Sequence, residues 1–89
     1  MLDKLKDLYH LQKQARELQS RLALERVEGV SRDGSFHVAL DGNQEVVSVS
    51  VSETANLSRE AVEQNSKEAF ADALSKLKNL LASKMREMM

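Results

Sequence analysis

Lys6, Tyr9, Lys13 and Arg16 recur at spacings of three, four and three residues, which gathers three cations and one phenol on one side of a helix. Ammonium and guanidinium groups in such a stripe attract polyanions, and the phenol can donate a hydrogen bond beside them. The same stripe also suits a plain solvated face. The distribution of charge bears on the choice without closing it. The formal net charge is −1, yet residues 1–26 hold six basic side chains against four acidic, and residues 73–89 hold Lys76, Lys78, Lys84 and Arg86 against Glu87 alone. The acidic excess lies between them, with nine acidic and three basic side chains in residues 27–72. For a polyanion, local sign matters more than the total.

Catalysis has little else to work with. His10 and His37 are the only imidazoles, and neither stands four residues from another histidine, as a helical metal site requires. They read as surface or half-buried polar residues. Cysteine is absent, which removes disulfides, thiolate metal sites and cysteine nucleophiles. Gly29, Gly34 and Gly42 are too far apart for a phosphate-cradling loop. Ser48, Ser50 and Ser52 alternate with Val47, Val49 and Val51, so strand geometry accounts for them. The expectation is a protein that is not an enzyme, with no cofactor, no metal and no small-molecule substrate.

Positioning falls to two long segments around a compact middle. All three glycines are central and proline is absent, so the flanks lack strong helix breakers. The sequence predicts one α+β domain over residues 1–89 with α-β-β-β-α order. A helix over 3–24 and another over 58–88 enclose a three-stranded antiparallel meander, with strands over about 25–31, 35–41 and 45–52. In the first helix, Leu8, Leu11, Ala15, Leu18 and Leu22 form a heptad seam opposite the basic stripe, with Asp3 as the cap. Val27, Gly29 and Ser31 then face one way, and Glu28 and Val30 the other. Arg32-Asp33-Gly34 makes a turn in which Gly34 is free to take positive φ. Phe36, Val38 and Leu40 alternate with Ser35, His37, Ala39 and Asp41, and Asp41-Gly42-Asn43-Gln44 leads to the valine-serine strand. The meander's apolar face needs cover, and the helices are the only cover available.

Asn56 or Ser58 caps the second helix. Val62, Ala69, Phe70, Ala73, Leu74, Leu77, Leu81, Met85 and Met88 line one of its sides, with Lys76, Asn79, Ser83 and Arg86 roughly opposite. A helix of about 24 residues runs about 36 Å, whereas three strands span only about 10–15 Å. The overhanging apolar stripes need a partner. The sequence therefore predicts an obligate homodimer, with Leu8, Leu11, Leu18, Leu22, Leu77, Leu81 and Met85 as the residues of its dimer contact and core. Met88 and Met89 would add adaptable packing at the dimer contact, the alternative being a methionine-rich ligand groove. No apolar run approaches transmembrane length and no h-region opens the chain, so a soluble cytoplasmic protein without a membrane partner is expected.

The order helix, meander, helix carries Val27-Glu28-Gly29, Asp33-Gly34-Ser35-Phe36-His37-Val38, Asp41-Gly42 and Val47-Ser48-Val49-Ser50-Val51. In this it resembles the YbaB/EbfC family of bacterial nucleoid-associated proteins. The likeness covers nearly the whole chain, including the loop at Leu57 and the Ala69-Phe70-x-x-Ala73 stretch. It implies an intertwined homodimer whose helices project as tweezer-like arms. It also implies binding of double-stranded DNA with limited or variable sequence preference, and a role in nucleoid organisation or gene regulation. Family members often open with a glycine- and methionine-rich segment and continue past the second helix in a flexible tail. This sequence begins almost directly at the first helix and shows no such tail, so the resemblance implies nothing about tail-dependent activity here. Its Ser31-Arg32-Asp33-Gly34 turn is more charged than the family's usual small-residue turn.

On this reading the dimer grips duplex DNA between its arms. Lys6, Lys13 and Arg16 from the first helix, and Lys76, Lys84 and Arg86 from the second, contact phosphates, with Tyr9 donating to a phosphate or covering the helix. Such contacts position a duplex without reading its bases. The alternative is a non-DNA-binding dimeric scaffold or protein-interaction module that uses the same seam, although a scaffold has no reason to gather positive charge on both arms.

Overall fold

The computed structural model describes residues 2–88, with side chains from Lys4 to Glu87. Its elements are α1 (Leu2–Leu22), β1 (Arg26–Val30), β2 (Phe36–Asp41), β3 (Val46–Val51) and α2 (Arg59–Met88). The strands form one antiparallel sheet in the order β1-β2-β3, which is the α-β-β-β-α fold read from the sequence. The Asp3 cap and the packing of Met88 and Met89 lie outside the described side chains.

Both turns are built by an aspartate. At the first, one Asp33 carboxylate oxygen accepts from Ser31 Oγ at 2.6 Å, Ser35 Oγ at 2.7 Å and Ser35 N at 2.9 Å. Asn65 of α2 donates to its other oxygen at 3.1 Å. The hydroxyl of Ser31, then Ser35, hold this carboxyl down at about 2. Gly34 takes the expected positive φ of 77°. Ser58 Oγ accepts from Ala61 N at 3.3 Å and caps α2, while Asn56 accepts from Ser58 N and shapes the approach.

Phe36, Val38 and Leu40 of β2 meet Ala69, Ala73 and Leu77 of α2, and all six are buried. The strand supplies alternate residues and the helix supplies residues four apart, as each period requires. Small residues set the depth of contact. A methyl group on Gly29 would collide with the Ala69 carbonyl and with Ala73, so only glycine lets α2 settle on β1.

A second device locks α2 along the outer edge of β1. Glu68 accepts from Arg32 N at 3.0 Å, Asp72 accepts from Val30 N at 3.0 Å, and Lys76 Nζ donates to the Glu28 carbonyl at 2.7 Å. Four helical residues rise about 6 Å and two strand residues about 6.6 Å, so residues 68, 72 and 76 keep step with 32, 30 and 28. Side chains thus occupy hydrogen-bonding groups that an edge strand otherwise leaves open.

The opposite edge differs. α2 lies over β1 and β2 and makes no comparable contact with β3. Val49 pairs with Val38 and Val51 with Phe36, so both face the core side, yet they are 52% and 43% exposed. The expectation that the helices cover the whole apolar face is corrected here: within one chain the helical cover stops at β2. A register irregularity between Ala39 and Leu40 brings Leu40 opposite Val46 and interrupts the valine-serine alternation. α1 projects from this body, exposed from Lys4 to Arg21, and the chain extends 62 Å along its longest axis.

Candidate nucleic-acid interface

The basic stripe of α1 keeps its helical spacing on an exposed helix. Tyr9, Lys13 and Arg16 line one shallow depression with Gln12, and Lys6 continues the stripe toward the N-terminus. The Tyr9 ring meets His10 edge-on, with centroids 6.0 Å apart. Among the described residues, Lys6, Lys13 and Arg16 form no ion pair, although Asp7 and Glu17 are on the same helix. Unpaired cations along about 15 Å of helix match the kind of surface that exchanges counterions for phosphates.

The cations of α2 divide. Lys76 Nζ lies 3.0 Å from Asp72 and donates to the Glu28 carbonyl, so it serves the β1 edge. The Val30 amide, and then Lys76, hold the Asp72 carboxyl below its ordinary range. Lys84 Nζ lies 3.0 Å from Glu25 and 3.9 Å from Glu87, and the bond to Glu25 chiefly raises its proton affinity. Arg86 remains exposed, with Nε donating to the Ala82 carbonyl at 3.4 Å within its own helix. Lys78, counted in the arm's charge but not placed in the site, is exposed and without an ion pair among the described residues.

The sequence held a signal for this division. Lys84 stands seven residues after the buried Leu77 and so returns to the face that packs on the body, whereas Arg86 does not. Lys76 stands four residues after Asp72, a spacing that pairs charges on a helix.

The seam side of α1 is bare in the single chain. Leu8, Leu11 and Leu18 are exposed and Leu22 is half-buried; on α2, Leu77 is buried, Leu81 is half-buried and Met85 is exposed. A groove between the ends of the two helices is lined by Leu18, Arg21, Leu22, Glu25 and Lys84 among others. His37, on the sheet face away from α2, is held by Glu28 at 2.7 Å and the Gly34 carbonyl at 3.0 Å. No cluster of three or more metal-ligating side chains occurs among the described residues, and no helix among them is long and apolar enough to cross a membrane.

Comparison with known proteins places these features in context. The model of the YbaB/EbfC DNA-binding family matches residues 1–89. A nucleoid-associated protein of Gloeothece citriformis is 40% identical over 80 residues, covering 88% of this chain and 69% of that protein. A nucleoid-associated protein of Gloeobacter violaceus is 34% identical over 85 residues, covering 94% of this chain and 77% of its own. The crystal structure of the uncharacterized protein HP0035 from Helicobacter pylori shares the fold, with a TM-score of 0.71 at 17% identity over 92% of this chain and 98% of that one.

Proposed function

The chain belongs to the YbaB/EbfC DNA-binding family, and from that premise we propose that it is a nucleoid-associated protein that binds double-stranded DNA as a homodimer, mainly through phosphate contacts from its basic helical arms. The family is one of DNA-binding proteins rather than enzymes. The observation that carries the proposal is the α1 stripe of Lys6, Tyr9, Lys13 and Arg16, exposed throughout and unpaired among the described residues. Arg86 extends the site onto α2, with Lys76 and Lys84 contributing only by exchanging their internal partners for phosphates.

Homodimerisation is supported by two unmet needs of the single chain. The Leu8, Leu11 and Leu18 seam is exposed, and so are the valines of β3. β1 is closed by side chains of α2, whereas β3 offers an uncharged edge of valine and serine, which soluble chains rarely leave open. A second copy that covers both would leave the cations of α1 outward, on arms flanking a duplex. Such a protein works at the nucleoid, hence in the cytoplasm, in nucleoid organisation or gene regulation.

The test is the triple variant Lys6→Ala, Lys13→Ala, Arg16→Ala. It should weaken binding to duplexes of every sequence and leave the dimer intact by sedimentation. Unchanged affinity removes α1 from the site. A folded dimer that binds no duplex at low salt favours the scaffold reading.

A further inference from the structure

We propose that the β2–β3 turn is the seat that aims the basic arm, and that Gly42 and Asn43 are positioning residues for DNA binding; the second clause rests on the reading that α1 grips the duplex. Every described α1 residue from Lys4 to Arg21 is exposed in the single chain, so packing within the chain does not orient this helix, and the second copy proposed on its seam meets it in the direction its root sets. Its last turn, in contrast, is fastened. Gly42 N donates to the Leu22 carbonyl at 2.8 Å, and Asn43 Nδ2 donates to the Gln19 carbonyl at 2.9 Å. Each of these carbonyls also accepts one local bond, Gln19 from Ala23 N at 2.9 Å and Leu22 from Glu25 N at 3.1 Å, so the turn supplies a second donor to two acceptors in the last turn. A distant hairpin therefore helps to cap α1 from outside.

The fit is close. A Cβ on Gly42 would stand 2.6 Å from the Leu22 carbonyl oxygen and 2.9 Å from its Cβ, so the approach requires glycine. Asp41 stiffens the turn behind it: its buried carboxylate accepts from Asn43 N at 2.8 Å and Glu45 N at 3.0 Å. Gln44 takes a φ of 67°, uncommon for a residue other than glycine, as the chain turns back into β3. The Lys84–Glu25 pair adds a tie just past the end of α1. All these ties act at one end of a long lever. Lys6 lies about 24 Å along the helix from Leu22, so a tilt of about 10° at the seat displaces it by about 4 Å, more than a hydrogen bond tolerates.

Neither Gly42 nor Asn43 carries charge, so substitution there changes aim without changing the field. The chain has no cysteine, and Gln12→Cys with Lys67→Cys therefore places one nitroxide on α1 and one on α2. Diluting labelled with unlabelled protein confines each measured pair to one protomer. The parent should give a narrow distance distribution, which Asn43→Ala and Gly42→Ala broaden or shift while far-ultraviolet circular dichroism stays unchanged. In unlabelled protein, Asn43→Ala should raise the duplex Kd about fivefold with the salt slope unchanged, because no phosphate contact is deleted.

An unchanged distance distribution in both variants overturns the seat, whatever the DNA result. Should Gly42→Ala fail to fold, Asn43→Ala decides alone, since that side chain is exposed. Altered distances with unchanged affinity overturn the positioning role. Altered distances in a protein whose parent binds no duplex uphold the seat and remove the DNA reading instead.

Discussion

Lys84 Nζ lies 3.0 Å from a carboxylate oxygen of Glu25, so a cation of the second helix spends its charge inside the chain. Lys13, on the exposed face of the first helix, has no such partner among the described residues. The two lysines should therefore differ as DNA contacts. Lys13→Met removes one cation from each arm of the dimer and should lower the magnitude of the log-affinity against log-salt slope by about 1.8, about 0.9 per arm, and Lys84→Met should leave that slope nearly unchanged. Titrations at several salt concentrations measure both, and equal slopes for the two variants would contradict the division.

Gly29 is the contact on which the helix-sheet spacing depends. Its missing side chain is the space taken by the Ala69 carbonyl and by Ala73. Gly29→Ala must push α2 away from β1 and loosen the side-chain ladder on the β1 edge. The expected cost is about 3 kcal/mol, enough to lower the thermal midpoint of a chain this size by more than about 10 °C. A variant melting with the wild type would show that α2 can shift without loss.

Leu18 separates a dimer from a monomer. In the single chain it is 37% exposed, so truncation there should cost little unless a partner covers it. With a seam formed between copies, Leu18→Ala should cost about 2–5 kcal/mol and the melting midpoint should rise with protein concentration. A midpoint indifferent to both concentration and substitution would contradict the seam.

The β1–β2 hairpin carries a pH dependence of definite sign. Both ring nitrogens of His37 face acceptors, Glu28 and the Gly34 carbonyl, so the imidazolium satisfies both. The bond to Glu28 chiefly raises the His37 pKa above its ordinary 6.5. A group whose folded value is raised stabilises fully below the unfolded value and loses that contribution as pH climbs through the folded one. Denaturant midpoints should therefore fall between about pH 6 and 8 in the wild type more than in His37→Gln. An NMR titration placing His37 at or below 6.5 would refute the assignment.

Much of this fold was legible because its signals are local. The alternation of Phe36, Val38 and Leu40 marked the buried face of β2, Asp33-Gly34 marked a turn, and the absence of proline and glycine marked the helices. The extent of helical cover was not legible. It depends on α2 settling over Gly29 and along the β1 edge, through contacts between residues some 36 to 48 positions apart. The valines of β3 look like core in sequence, yet they lie beyond that helix. In the candidate site, the α1 stripe followed from helical period alone. The internal pairing of Lys84 required knowing that Glu25, in the connection after α1, meets the end of α2.

The most direct test of a phosphate-gripping protein is fluorescence anisotropy of a labelled random-sequence duplex, titrated with the wild-type chain at about 50 and 200 mM salt. Saturable binding at the lower salt that collapses at the higher is the result expected of exposed α1 cations meeting a DNA backbone. A folded protein that leaves the duplex free at the lower salt would contradict DNA binding and leave the stripe a solvated helix face.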